Sequence, residues 1–227
     1  MKFCNGFQNL KLFDVVHGVN HLLCYRADRM GDEAENMSDY HEFPDDEQEL
    51  DAFLRKQRAD SHERSYWLEH SLGSESHWLF IQAYDALRHE LYLPACTGFL
   101  TGVEASLRNT LAQVHNPTNV ENLEGISTLS NALLNVARTN GINIDCLAFP
   151  GEQDFEAKLA TRQNHVELVM IRHTLCHGNI FEYISKQEGL PTLFTPECCR
   201  DIAETLHAIS REWIASLGAF RRHALAI

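Results

Sequence analysis

Basic residues are scarce in this chain, 19 lysines and arginines against 32 aspartates and glutamates, and the net charge is −13 with histidines neutral. That excludes a broad basic surface coating nucleic acid without regard to sequence, though not a local basic cleft. No two of the seven cysteines have CxxC spacing, and the count is odd. This argues against a disulfide framework and reads as reduced thiols of a cytoplasmic protein, the vicinal Cys198-Cys199 included. No apolar run approaches the roughly 18 residues a membrane-spanning helix needs. The opening MKFCNGFQNLKLF has no continuous apolar stretch, so no signal peptide is expected. A Gly-rich phosphate loop, a GxSxG elbow and HExxH are all missing. So are internal repeats, low-complexity tracts and any long alternating strand pattern.

What is present is helical periodicity. The 227 residues are 44% hydrophobic, enough to bury a core. Residues 1–31 read two ways: Leu12, Val16, Val19 and Leu23 fall at helical spacing, and 10–16 equally suits a strand. Residues 32–51 are strongly acidic around Pro44 and read as a solvated linker. A helix is expected over 45–70, stopped by Gly73-Ser74. From Glu75 onward, Trp78, Ile81, Tyr84, Leu87 and Leu91 recur at three- and four-residue steps and predict one buried face. Pro94 breaks that helix and suits the first turn of the next, over 95–115. Leu100, Val103, Leu107, Leu111 and Val114 form its stripe, and Asn116-Pro117 its stop. A shorter helix over 127–139 ends at Asn140-Gly141, and 142–151 reads as a loop. A long central helix is expected over 152–178, apolar all round near its end and therefore buried. Thr195-Pro196 opens the last helix, which Ile202, Leu206, Ile209, Trp213 and Phe220 carry toward the C-terminus. The pattern predicts an all-α fold: an antiparallel helical bundle over 75–227, preceded by an N-terminal extension over 1–74.

The chemistry concentrates in residues 168–183, LVMIRHTLCHGNIFEY. A strong base beside imidazoles is costly to bury without partners. Arginine grips phosphate with a planar fork of donors, and histidine moves a proton near neutral pH. Arg172 and His177 are the candidate catalytic pair. Fourteen arginines and thirteen histidines give about 0.8 chance matches at any fixed spacing, so the spacing alone proves nothing. Context raises it: this is the chain's only match, it lies late in an apolar helix, and it runs into His-Gly-Asn. Positions five apart point about 140° from each other on a straight helix. Either the helix frays near Gly178 or a partner subunit helps assemble the site, and a homodimer is expected. The structural alternative makes Arg172 an ion-pair residue, with Glu104 as partner, and His177 a capping histidine.

This segment resembles the signature of HEPN domains, a helical-bundle superfamily dominated by RNases and their relatives. Its pattern is an arginine, commonly followed by a polar Asn, Asp or His, and a histidine separated from the arginine by four to six residues in all; Arg172, His173 and His177 fit, and His177-Gly178 is a frequent form of its end. Residues 91–109, LYLPACTGFLTGVEASLRN, are similar to an earlier core helix of such domains, with Glu104 in an apolar, small-residue face. The resemblance covers about 75–220 and does not reach the first 70 residues. It implies an HEPN-like bundle and metal-independent RNA cleavage at a dimer interface, without a cofactor. A toxin–antitoxin or phage-defence setting, with an antitoxin or a nucleotidyltransferase as partner, is implied likewise. His177 would transfer the proton and Arg172 would clamp the phosphate. His173, Asn179, Glu104 and Arg108 would support or bind. DNA, lacking the 2′-hydroxyl, should be inert. The rival expectation is a non-catalytic module of the same fold for dimerisation or partner binding, which the negative charge favours.

Other constellations are weaker. His173 and His177 have zinc-ligand spacing and His165 lies eight back, but no third ligand is evident at close spacing, so no metal site is expected. Glu204-x-x-His207 matches one half of a di-iron element that needs two. Arg108 and His115 share a helix face and read as a second arginine–histidine pair, an RNA contact or a solvated helix end. Arg221-Arg222-His223 reads as an exposed tail.

Overall fold

The computed structural model describes residues 46–70, 76–115, 123–161, 163–184 and 193–225. Among them all regular structure is helical: α1 (Glu47–Glu69), α2 (Ser76–Arg88), α3 (Tyr92–His115), α4 (Asn131–Thr139), α5 (Phe155–Leu159), α6 (Glu167–Cys176) and α7 (Arg200–Ala224). Short 3₁₀ turns lie at Asp145–Leu147, Ile180–Tyr183 and Pro196–Cys199. The readings of 1–45, of Gly73-Ser74 and of Asn116-Pro117 fall outside the described residues. Contacts divide the chain into two units at Leu54/Arg55, within α1; the composition-based division lies at 74/75. The second unit, Arg55–Ile227, holds the core.

Helix α3 is central to it, with α2, α6 and α7 packed on it. Buried residues recur along α3 at Ala95, Cys96, Phe99, Leu100, Val103, Leu107 and Leu111 and form one broad apolar face, while Pro94 and Thr101 on the other side are exposed. A tight turn around Glu90 brings α2 back along α3, closed by Leu91 N–H donating to the Ala86 carbonyl. Two glycines set the closeness of this pair. A Cβ on Gly98 would sit 2.8 Å from that of Ala83, and one on Gly102 would sit 2.8 Å from the Phe80 ring. The gap they leave turns α2 so that Phe80, Ile81 and Ala83 are buried. Here the expected stripe needs correction: Trp78 and Leu91 are each 53% exposed. The run offers two overlapping apolar faces, and the glycine groove on α3 selects the one centred on Phe80.

Helix α7 joins α3 through an apolar seam and a buried polar ladder. Leu206, Ile209, Trp213, Ile214 and Leu217 are buried. Trp213 Nε1–H donates to Ser106 Oγ at 2.9 Å, and Thr110 Oγ1–H to the Ser106 carbonyl at 2.8 Å. Arg221 donates through Nη1 to Thr110 Oγ1 at 3.0 Å and is 1% exposed. The exposed-tail reading of Arg221 is therefore wrong: α7 continues to Ala224 and folds that arginine inward, whereas Arg222 and His223 are exposed.

The C-terminal half of α1 closes the core. Trp67 is fully buried and stacks on Phe80, with centroids 5.4 Å apart and planes 1° off parallel. Ion pairs flank it, Asp60 with Arg88 at 2.6 Å and Glu63 with Arg211, and Glu63 is also hydrogen-bonded to His207 Nε2 at 2.9 Å.

Candidate functional site

The segment expected as one helix over 152–178 is two. Helix α5 stops at Leu159, and α6 starts at Glu167 after Val166, whose ψ of 154° is extended. Side chains from α4 cause the break. Asn131 Nδ2 donates to the carbonyls of Lys158 (2.8 Å), Thr161 (3.2 Å) and Asn164 (2.8 Å), and its Oδ1 accepts from Val166 N–H at 3.2 Å. Asn135 Nδ2 donates to the Leu159 carbonyl at 2.9 Å. Backbone groups that would extend either helix are thus held elsewhere. Glu152 then caps α6 from a distance: its Oε1 accepts from Glu167 N–H at 2.8 Å and from Lys158 Nζ at 3.1 Å. A carboxylate at a helix N-terminus is favoured by the helix dipole. With the helix interrupted, His165 precedes α6 and does not share a helical face with His173 and His177.

Helix α6 buries Leu168, Val169, Ile171, Thr174 and Leu175. Its end is a Schellman cap. Gly178 has φ +71°, Asn179 N–H donates to the Thr174 carbonyl at 2.9 Å, and Gly178 N–H to the Leu175 carbonyl at 3.2 Å. The His-Gly-Asn sequence therefore has a structural cause, since glycine takes the left-handed position without penalty. The following turn is tied back by a short hydrogen bond between the hydroxyls of Thr174 and Tyr183.

Arg172 leaves α6 toward α3, where its Nη2 lies 3.2 Å from Glu104 Oε2. Arg108, one turn along α3, lies 3.8 Å from Glu104 Oε1. It also donates to the carbonyls of Ile126 at 3.0 Å and Leu123 at 3.5 Å, pinning the loop that leads into α4. So Arg108 is not a solvated helix end; the side chain of His115 lies outside the described residues. One carboxylate, 13% exposed, is shared by two guanidiniums, and Arg172 keeps 26% of its side-chain surface accessible. The trio carries one excess positive charge in a chain that is otherwise strongly acidic.

His173 and His177 are both exposed, with ring centroids 4.4 Å apart. His177 is the C-cap residue, yet its N–H still bonds to the His173 carbonyl at 3.1 Å, so helical register persists between them. Arg172 is drawn to Glu104 while His177 stands beside His173 in solvent. Asn179 turns away to Glu182, donating from Nδ2 at 2.8 Å. The structure thus joins Arg172, Glu104 and Arg108 in one cluster, His173 and His177 in another, and leaves Asn179 as a cap residue.

Sequence reasoning missed the supports Asn131 and Glu152, which carry no periodic signal. It also missed the setting of His207, whose partner is Glu63 rather than Glu204. Tyr84, Phe99 and Trp67 surround the His207 ring. Burial pushes the His207 imidazole below the usual range, more than Glu63 restores. Burial alone would raise the Glu63 carboxyl, but hydrogen bonds from Arg211 and His207 bring it down overall. A groove of about 490 Å³ lies elsewhere, walled by Cys146, Asp201, Glu204 and Glu212. Its carboxylates repel a polyanion, so it is a poor place for RNA.

No group of three or more His, Cys, Asp or Glu side chains suited to a metal ion occurs among the described residues. Among the described residues, no helix is long and apolar enough to cross a membrane. Comparison with protein-family models, with curated proteins and with solved structures finds no match for this chain.

Proposed function

We propose that the chain is a metal-independent endoribonuclease of HEPN type that works as a homodimer, in a toxin–antitoxin or defence role. The observation that supports this most is the layout of α6. Glu104 fixes the Arg172 guanidinium while part of it stays accessible, and the end of the same helix offers the exposed imidazole of His177. A phosphodiester spanning two such helices would meet an arginine from one copy and a histidine from the other. An RNA 2′-hydroxyl gives its proton to an imidazole and attacks phosphorus. The P–O5′ bond breaks, and the 5′-oxygen takes up a proton, leaving a 2′,3′-cyclic phosphate and a 5′-hydroxyl. Arginine steadies the charge that builds on the phosphoryl oxygens.

The assay is cleavage of synthetic RNA in excess EDTA by wild type, Arg172→Ala, His177→Ala and Glu104→Gln, with a DNA strand alongside. Cleavage of RNA alone, cut at least about 100-fold by either alanine substitution, supports the reading. Cleavage that requires added metal, or that survives both substitutions, overturns it.

A second reading has its own support. Arg172 already has a carboxylate partner, His177 already serves as the helix C-cap, and the net charge of −13 disfavours RNA. On that reading the chain is a helical module for dimerisation or partner binding, and wild type leaves RNA intact in the same assay.

A further inference from the structure

We infer that His173 and His177 together form a chelating site for a borderline divalent cation such as Zn²⁺ or Ni²⁺, with water filling the remaining coordination positions. The pair stands on one helical face, exposed, with ring centroids 4.4 Å apart and planes inclined by 58°. Two imidazoles one turn apart can converge on a single ion, which is why His-x₃-His recurs among zinc ligands. Three features of this chain prepare it. The backbone bond from His177 N–H to the His173 carbonyl keeps the one-turn register up to the last helical residue. The Schellman cap at Gly178 and the Thr174–Tyr183 bond hold that turn in place. The carbonyl end of α6 favours positive charge beside it.

Imidazole selects Zn²⁺, Ni²⁺ and Cu²⁺ over Mg²⁺ and Ca²⁺, which take oxygen ligands. With two protein ligands rather than the three or four of catalytic and structural zinc sites, the ion is held more weakly and exchanges with the free pool. One consequence rests on the ribonuclease reading: an ion on His177 occupies the lone pair that proton transfer needs, so Zn²⁺ would inhibit cleavage.

The test is Zn²⁺ titration of the reduced full chain by calorimetry, followed by long-range ¹H–¹⁵N correlation of the histidine rings. Wild type is expected to show a binding event that moves the ring nitrogens of His173 and His177 together. His173→Ala and His177→Ala should each weaken that event at least about tenfold, and Mg²⁺ should move neither ring. Ring nitrogens of His173 and His177 that stay unmoved by Zn²⁺, or an affinity equal in all three proteins, would overturn the inference. Binding is read without activity, so the two proposals fail separately. Zn²⁺ binding with intact RNA removes only the ribonuclease, and cleavage without Zn²⁺ binding removes only the cation site.

Discussion

Replacing Asn131 with alanine tests how the candidate site is held. Asn131 is 6% exposed, and its one amide group meets four backbone groups between Lys158 and Val166. Thr161 and Asn164 are exposed, so water can take over their carbonyls once the amide is gone. Val166, fully buried, keeps an N–H that solvent does not reach, whereas the Lys158 carbonyl still accepts from Thr161 N–H at 3.0 Å and from Thr161 Oγ1 at 3.1 Å. One orphaned, buried N–H puts the loss at roughly 1–3 kcal/mol. For a domain of this size that lowers Tm by roughly 2–12 °C. Aspartate is the sharper control. It still accepts from Val166 but sets a carboxylate against three carbonyl oxygens, so Asn131→Asp should be worse than alanine. Urea and thermal unfolding of the three proteins decide the matter. An Asn131→Ala protein within about 0.5 kcal/mol of wild type, or an aspartate better tolerated than alanine, would refute this account of the helix break and of the α6 register.

Two further outcomes follow from the same structure. Gly178→Ala meets no neighbour within 4 Å, so its whole cost is the left-handed backbone at φ +71°; it should destabilise by about 1–2 kcal/mol and speed amide exchange at Gly178 and Asn179, and an unchanged protein would contradict the Schellman assignment. Acid should weaken the α1–α7 junction in two steps. The folded-state values of His207 and Glu63 both lie below their ordinary 6.5 and 4.5. Stability is therefore complete above the higher of these, falls as pH drops through the folded-state value of His207, and falls again as Glu63 protonates. A pH series of Tm for wild type and His207→Phe should show the first step only in wild type.

Much of the helical layout was readable because burial leaves a period in the sequence. Leu100, Val103, Leu107 and Leu111 on α3, and Leu206, Ile209 and Trp213 on α7, are buried where their spacing placed them. The stops at Asn140-Gly141 and at Gly178 were readable as local backbone chemistry. What escaped is non-local. The residues from 152 to 178 have helical composition throughout, and side chains brought near by the fold, those of Asn131 and Asn135, end α5 at Leu159 and delay α6 until Glu167. Trp78 was misplaced because periodicity shows that α2 has an apolar face but not which face the groove at Gly98 and Gly102 accepts. For the candidate site, Glu104 was legible as a partner for Arg172, since an arginine in an apolar helix needs a carboxylate nearby. The angular separation of Arg172 and His177 was legible too. The pinning of the 123–126 loop by Arg108 was not, because its acceptors are backbone carbonyls that no residue type announces.

The central claim is that Arg172 and His177, split between two copies of the chain, act on one phosphodiester. The most direct measurement mixes Arg172→Ala with His177→Ala protein and follows RNA cleavage in EDTA. Each variant alone should be inactive. In the mixture, half of the dimers pair one chain of each kind and restore one intact arginine–histidine site, so cleavage should return to about a quarter of the wild-type rate. A mixture as inactive as its components, under conditions where wild type cleaves and subunits exchange, would contradict the shared site.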